Sequence, residues 1–496
     1  MVNFLSACDS LHITTVSSLR GVLLFGLPAL FGPYKSTSWS PTRPLGTFFR
    51  AREANRIEKR KGGEKLHEWA VKYGSVYRIF VPGNKPYIFV SDPGLLKHIL
   101  SNEETDFAKP PELKKFISRV LGDGILNLDG NAHRHQRKLV YPSVGLKAVR
   151  EMVPSILLPT QQLVHRWWKR CSSSPSEVNV SEELVFLTME SIGNALFGQK
   201  FDCMNNPKKN RLCHAFLTIA GLAHPKINML IMTCPWLLYL PIPRVFCMNW
   251  CLSIVRAEAR AMVIDASQKP DVKEKKDLLS LLVQNMRSSS GNGLTVDEIR
   301  DECVLFLGAG NETTNAAISF ALYELAQNQD LQDQLRQEVR QIFHSLSPED
   351  ECPTDMPCYD DINKLPLLSN VFKETLRCYS TVPFGAKIAE KDFVWNNKVF
   401  TKGTRFLVSS LVNHFDKSQW GDDCNQYIPS RWDCTPAKNI GQYAYFPFGS
   451  GPRSCVVAIL IKNFKFTPKP GFELRTALTI SLRPIGGIPL IIERAQ

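Results

Sequence analysis

The stretch Phe448-Gly449-Ser450-Gly451-Pro452-Arg453-Ser454-Cys455 constrains this chain more than any other. Two glycines around a turn let the backbone pass close to whatever the following cysteine holds, because glycine lacks a Cβ and tolerates positive φ. Backbone amides pointed at a sulfur, with the guanidinium of Arg453 beside them, stabilise a thiolate. A thiolate offered on such a turn is a ligand for a metal, and the hydrogen bonds it receives tune that metal's electronics. The competing reading is a surface turn with an incidental cysteine.

Two further elements give that turn a context. Glu374 and Arg377 lie three residues apart on a helix expected over Leu365–Cys378, where they share a face and can pair. Alone such a pair is common and weak. Downstream, Tyr427-Ile-Pro429-Ser-Arg431-Trp432 brings a second arginine just ahead of the cysteine turn. Two guanidinium forks on one carboxylate would make a directional, partly buried network that fixes the register of a loop. The second element is Leu307-Gly308-Ala309-Gly310-Asn311-Glu312-Thr313-Thr314, inside a long apolar helical pattern over Val296–Asn328. Gly308 and Gly310 each cost ~1 kcal/mol relative to alanine there. That cost is reasonable if the helix passes close over a flat ligand or kinks, leaving Glu312 and Thr313 to relay protons. The glycines imitate a dinucleotide fingerprint, but no strand precedes them and the third glycine is missing.

The rest of the chain reads as one mainly α domain with a minor β region. Helical periodicity covers Val153–Arg170, Glu182–Phe197, Val255–Ser267 and Leu331–Ser345, while Tyr77–Val81 and Lys85–Val90 flank a turn and predict a hairpin. With 44% hydrophobic and 22% charged residues the chain is globular, neither disordered nor polytopic. No linker divides it, so residues 41–496 are expected to form a single large domain. Residues 1–40 differ. Gly21 to Pro33 is uncharged and mostly apolar, and Arg50, Arg52, Arg56, Lys59, Arg60 and Lys61 follow it. This pattern predicts a short membrane anchor and hinge with a basic collar facing an anionic surface.

The formal charge of +13 favours an acidic partner or membrane. Nucleic acid is not expected, because no basic stripe is interleaved with aromatics. The 14 cysteines sit mostly singly in apolar or helical stretches, which predicts reduced thiols on the cytosolic side. Cys203 to Cys251 is apolar, aromatic and punctuated by prolines, the composition of a mobile lid or a lipid-dipping surface, or of ordinary core. Cys247 and Cys251 at i, i+4 could ligate a metal, but nothing at zinc spacing completes a site.

The three chemical elements, in this order and spacing, resemble the cytochrome P450 family of haem-thiolate monooxygenases, of the eukaryotic microsomal type. The resemblance implies the family's mainly α fold and haem as cofactor. It implies Cys455 as axial thiolate, with Phe448 and Gly449 on its proximal turn and Arg453 facing a haem propionate. Ala309 and Gly310 match the oxygen-side groove, and Glu312 and Thr313 the proton-delivering pair. Glu374, Arg377 and Arg431 match the family's structural network. His133 and Arg137, in His133-Arg-His-Gln-Arg137, match a helix that reaches the propionates, and Lys387 stands where an arginine is more usual. By the same resemblance the chain would insert one atom of dioxygen into an apolar small molecule. Its electrons would come from a separate NADPH-dependent reductase flavoprotein, since no flavin or nicotinamide fingerprint is present. It would sit on the endoplasmic reticulum membrane with its catalytic domain facing the cytosol.

One departure stands out. The family has a glycine two residues after the cysteine and then a long proximal helix. Here Val457 takes the glycine's place, and Val456–Phe466 resembles the end of that helix and the strand after it. Several helical turns are expected to be missing, through truncation or a misplaced splice junction. Two alternatives therefore stand beside the monooxygenase: an inactive or non-catalytic haem-fold protein, and a haem-thiolate isomerase or dehydratase that needs no reductase.

Overall fold

The computed structural model describes residues 64–81, 85–101, 106–205, 210–222, 243–273, 275, 277–287, 293–343, 347–350, 356–433, 443–447, 453–478 and 481–495. The helices that build the body are α1 (Gly130–Val144), α2 (Val153–Arg170), α3 (Val180–Phe197), α4 (Pro243–Gln268), α5 (Val296–Gln327), α6 (Gln329–Ile342), α7 (Pro366–Cys378), α8 (Ser410–His414) and α9 (Arg453–Asn463). The strands are β1 (Val76–Val81), β2 (Lys85–Val90), β3 (Phe107–Ala108), β4 (Ser176–Asn179), β5 (Phe384–Ala389), β6 (Phe393–Trp395), β7 (Lys398–Phe400), β8 (Arg405–Ser409), β9 (Phe464–Pro468), β10 (Thr476–Leu478), β11 (Leu482–Pro484) and β12 (Pro489–Arg494). β1 and β2 form the expected antiparallel hairpin within a sheet of order β1-β2-β8-β5-β3, in which β2 and β8 run parallel. A smaller sheet, β4-β12-β9, joins the chain's last strand to the segment between α2 and α3.

α5 is the axis. Its start is fixed by a capping box: Thr295 Oγ1 accepts the Glu298 N–H at 3.2 Å, and Glu298 Oε2 accepts the Thr295 N–H at 2.8 Å. It ends at Asn328, whose side chain caps α6 by accepting the Leu331 N–H at 3.0 Å. Nineteen of its residues are buried, so the helix has little solvent face and its sequence shows little amphipathic contrast. α5 runs unbroken through both glycines, from Val296 to Gln327. Neighbouring side chains lie against them. A Cβ at Gly308 would lie 2.7 Å from Leu121 Cδ2, and one at Gly310 would lie 3.0 Å from Ile192 Cδ1 of α3. These two glycines admit protein side chains at close range.

α9 is short and wholly internal. Cys455 through Ile461 are each at most 1% exposed. The run Val456-Val457-Ala458-Ile459-Leu460-Ile461 is apolar on every side, so burial from all directions is the arrangement its sequence favours. It packs in the main core with Trp167 of α2, Leu184 of α3, Phe320 of α5, Leu335 of α6 and Val371 of α7. Without a break the chain passes into β9 at Phe464, as expected for the end of a longer helix followed by its strand. Two buried side chains of α6 hold that junction. Arg336 donates from Nε to Ile461 O at 3.0 Å and from Nη2 to Phe464 O at 3.1 Å. Gln332 exchanges hydrogen bonds with the N–H and C=O of Phe466, both at 2.9 Å.

Two sequence expectations are corrected. Cys203 and Cys213 are joined in a disulfide, so the chain is not made of reduced thiols alone. The reversal between α3 and the helix Arg211–Leu222 brings the two sulfurs together inside the core, which spacing by ten residues could not reveal. The stretch Cys203–Cys251 is partly regular: its last part is the first two turns of α4, with Cys247 and Cys251 packed in an apolar cluster. Among the described residues no group of His, Cys, Asp or Glu could hold a metal ion by itself. The anchor and basic collar lie outside the described residues. No helix among those described is long and apolar enough to cross a membrane.

Arg336→Ala should strip the partners from two buried carbonyls at the end of α9, at ~1–3 kcal/mol for each group left unsatisfied. Urea unfolding followed by tryptophan fluorescence should show a clearly lower midpoint. An unchanged midpoint would mean that those carbonyls find other partners.

Candidate haem-thiolate site

The site rests on a carboxylate buried beneath it. Glu374 and Arg377 on α7 are both 0% exposed and form a bidentate pair, Arg377 Nε to Glu374 Oε2 at 2.8 Å and Nη2 to Oε1 at 2.7 Å. Burial works against the guanidinium's charge, but the bonds to Glu374 and neighbouring negative groups outweigh it, and its pKa is raised. Its remaining N–H groups reach the carbonyls of His414 (2.8 Å), Cys424 (2.6 Å) and Gln426 (2.8 Å). Glu374 also accepts from Ile428 N at 2.9 Å and Trp432 Nε1 at 3.1 Å. The Glu374–Arg377 pair is thus completely buried, while Trp432 and Arg431 beside it are half-buried.

Arg431 plays a smaller part than two equal forks would require. Its Nε lies 3.5 Å from Glu374 Oε1, while its hydrogen bonds go to Trp420 O and to both the side chain and carbonyl of Asp423. It adds positive charge beside Glu374 and ties down the preceding loop.

His414 connects this network to the approach of the cysteine turn. The imidazole is fully buried, which pushes its pKa down to about 3 and keeps it neutral. Nε2 accepts the Phe446 N–H at 3.3 Å, so Nδ1 carries the proton and donates it to Arg377 O at 3.0 Å. Asn413, which the sequence gave no reason to single out, donates to Tyr443 O at 3.2 Å and Ser91 O at 2.9 Å. The two residues together hold the strand of chain that leads towards Cys455.

Cys455 sits in the first turn of α9 and is 0% exposed. Burial pushes its thiol pKa up to about 12, against the pull of the backbone N–H groups of Val456 and of Cys455 itself. Phe448 and Gly449 lie outside the described residues, as does the side chain of Arg453, whose backbone opens α9. Across the core, α5 packs on α9 and carries Ala309, Gly310, Glu312 and Thr313. Thr313 is buried and its hydroxyl donates to Ala309 O at 2.8 Å, one turn back. Ala309, Gly310 and Glu312 are half-buried. The charge of Glu312 also acts on Arg483 of β11, whose pKa is lowered by burial and partly restored by that carboxylate. His133 is half-buried and Arg137 exposed on α1, and Lys387 of β5 is a buried cation, 6% exposed.

A sequence profile described as Cytochrome P450 matches residues 41–457. The chain belongs to the cytochrome P450 family. It is 28% identical over 451 residues to Cytochrome P450 monooxygenase sphH of Aspergillus fumigatus, a match that covers 84% of this chain and 81% of that one. It is 29% identical over 476 residues to Cytochrome P450 monooxygenase 205 of Postia placenta, covering 85% of each. The 11-oxo-beta-amyrin 30-oxidase of Glycyrrhiza uralensis is 26% identical over 455 residues, covering 86% of this chain and 82% of its own length. The crystal structure of a cytochrome P450 superposes with a TM-score of 0.72 at 22% identity, over 88% of this chain and 95% of that one.

The chain is therefore a P450 monooxygenase, an oxygen-incorporating oxidoreductase whose cofactor is haem bound through a thiolate. The cysteine has the chemistry that group requires. A buried thiol receives backbone amides at the start of a helix, where the helix dipole favours a thiolate.

Glu374→Ala should leave Arg377 as an unpaired charge in the core, a loss of ~3–5 kcal/mol. The variant is expected to purify without haem, as judged by the pyridine haemochrome assay. Normal haem content would show that the network is not needed to shape the site.

Proposed function

We propose that this chain inserts one oxygen atom from dioxygen into an apolar organic substrate, with electrons supplied by a separate NADPH-dependent reductase flavoprotein. The observation that carries the reading is the Thr313 hydroxyl bonded to Ala309 O beside Glu312, midway along α5. An isomerase or dehydratase has no need of a proton-delivering pair at that point. When bound, haem supplies the oxygen chemistry, and the protein supplies orientation and water exclusion. Cys455 as thiolate would push electron density onto the iron, which favours O–O cleavage. Thr313 would hold a proton-bearing hydroxyl at the groove, and Glu312, half-buried, would pass protons to it from outside. His133, Arg137, Lys387 and Arg453 would hold the propionates, with Phe448 and Gly449 shaping the turn around the sulfur. A relative named as an oxidase of 11-oxo-beta-amyrin supports an organic small molecule as substrate. The +13 charge suits an acidic flavoprotein and an anionic membrane surface. On the apolar run Gly21–Pro33 and the basic collar rests the proposed place on the endoplasmic reticulum membrane, facing the cytosol.

Thr313→Ala should keep the fold and the haem while lowering product per NADPH about tenfold or more, the excess electrons appearing as peroxide. Unchanged coupling would remove Thr313 from proton delivery.

A second reading is favoured by one specific finding. The family match stops at residue 457, two residues after Cys455, and α9 ends at Asn463. At ~1.5 Å per residue an eleven-residue helix spans only ~16 Å. We propose that the chain in this form holds haem poorly, and that a longer transcript encodes a full proximal helix beginning with a small residue where Val457 stands. The reduced, carbon monoxide-bound spectrum and haem content of both forms test this. Full thiolate-ligated haem in the 496-residue form would show that the short helix suffices.

A further inference from the structure

Two consecutive acids on α5, two turns and more before Ala309, grip the segment that joins the helix Pro111–Leu121 to α1. Asp301 is 8% exposed and accepts the Asp123 N–H through Oδ2 at 2.9 Å. Glu302 is 0% exposed, and its Oε1 accepts both the Ile125 N–H at 2.6 Å and Gln136 Nε2 of α1 at 3.0 Å. Alternate amides of one short segment thus go to neighbouring carboxyls. Glycines make the approach close enough. A Cβ at Gly122, whose φ is +84°, would lie 2.6 Å from Asp301 Cγ, and one at Gly124 would lie 3.1 Å from Glu302 Oε2.

The two acids differ in their compensation. Asp301 is bonded to Arg300 at 2.8 Å, and the charges of Arg256, on α4, and Asp301 favour each other. Around Glu302 the facing charged and titratable groups are Asp301 and Cys303 on its own helix; α1 offers the neutral Gln136, and the 122–128 segment an amide. Arg119, Arg300, Asp123 and Asp301 gather about Arg256 instead. Glu302 Oε2 is buried without a hydrogen-bond partner among the described residues. The bonds from Ile125 and Gln136 favour an ionised carboxyl, but burial outweighs them, because ionisation would leave charge in the core with no donor at Oε2 to meet it.

We propose that Glu302 is a positioning residue that, with Asp301, clasps the 122–128 segment and α1 to the distal helix when neutral and loosens them when ionised. The proposal rests on the haem-binding reading for its consequence, because Gln136 lies one residue from Arg137 and three from His133 on the same helix. Burial, with the charge of Asp301 adding to it, raises the Glu302 pKa from 4.5 to about 7. The sign follows from that direction. A raised folded-state pKa gives a contribution that is complete below pH 4.5 and fades as pH climbs through about 7. The clasp is therefore tighter in mildly acid solution and looser above neutrality.

Hydrogen exchange of the 122–140 region in the full chain, corrected for intrinsic amide chemistry, tests this directly. Between pH 6 and 8.5 the opening equilibrium should rise about tenfold in the wild type. Glu302→Gln, neutral at every pH, should abolish the rise. Gln136→Leu keeps the carboxyl but removes a donor to it, so the rise should move to higher pH. A pH-independent wild type, or the same rise in Glu302→Gln, would overturn the proposal. Should Glu302→Gln fail to fold, the direction of the Gln136→Leu shift decides alone, and no upward shift overturns it. The carbon monoxide spectrum of the same samples reports separately on the thiolate-haem reading, so that either can fail without the other.

Discussion

The buried pair Glu374–Arg377 is the interaction on which the rest of the molecule depends. Two charges withdrawn from water are tolerated only where every donor and acceptor finds a partner. Here the partners are spaced along one stretch of chain: the carbonyls of His414, Cys424 and Gln426, the amide of Ile428 and the indole of Trp432. Satisfying one ion pair therefore fixes the path of the irregular chain after α8. Aromatic faces close over the guanidinium, with Trp420 at 5.1 Å and Phe415 at 5.4 Å from its centre. Such a pair gives little net stability for its burial, but it leaves few alternative arrangements for the loops around it.

That constraint reaches the chemistry through His414. The same α7 residue that holds Glu374 offers its carbonyl to the imidazole, and the imidazole's other nitrogen holds Phe446. A histidine that must both donate and accept is fixed in tautomer and orientation. The chain approaching the cysteine turn thus inherits its register from a carboxylate it does not touch. From the far side of the turn α9 is fixed differently, by apolar burial in all directions and by Arg336 and Gln332 at its end. One side of Cys455 is set by a polar network and the other by packing.

Legibility followed the kind of force involved. α2 occupies Val153–Arg170 as its periodicity predicts, and the β1–β2 hairpin pairs Val76 with Val90 and Val81 with Lys85 as its flanking runs suggest. Local pattern and burial agree there. α4 begins at Pro243, twelve residues before its amphipathic pattern becomes clear, because Phe246 and Trp250 lie exposed at its start and blur the apolar face. The glycines of α5 were legible as costly but not in their purpose. Only the positions of Leu121 and Ile192, distant in sequence, show what fills the space a Cβ would take.

By itself the sequence determined the family and the mainly α fold, and it marked out the cysteine and the acid–alcohol pair that the family resemblance implies. These are written as short motifs whose chemistry needs particular side chains at fixed spacing. Tertiary structure alone decided how the motifs are joined. That Arg431 chiefly serves Asp423, that His414 bridges Arg377 to Phe446, and that Cys203 meets Cys213 are facts about chain segments brought together by packing. So is the clasp of Asp301 and Glu302 on the segment before α1. Within the sequence those two acids are unremarkable members of a helical run. They become a site only when burial removes the water that would have solvated them and leaves one of them without a counter-charge.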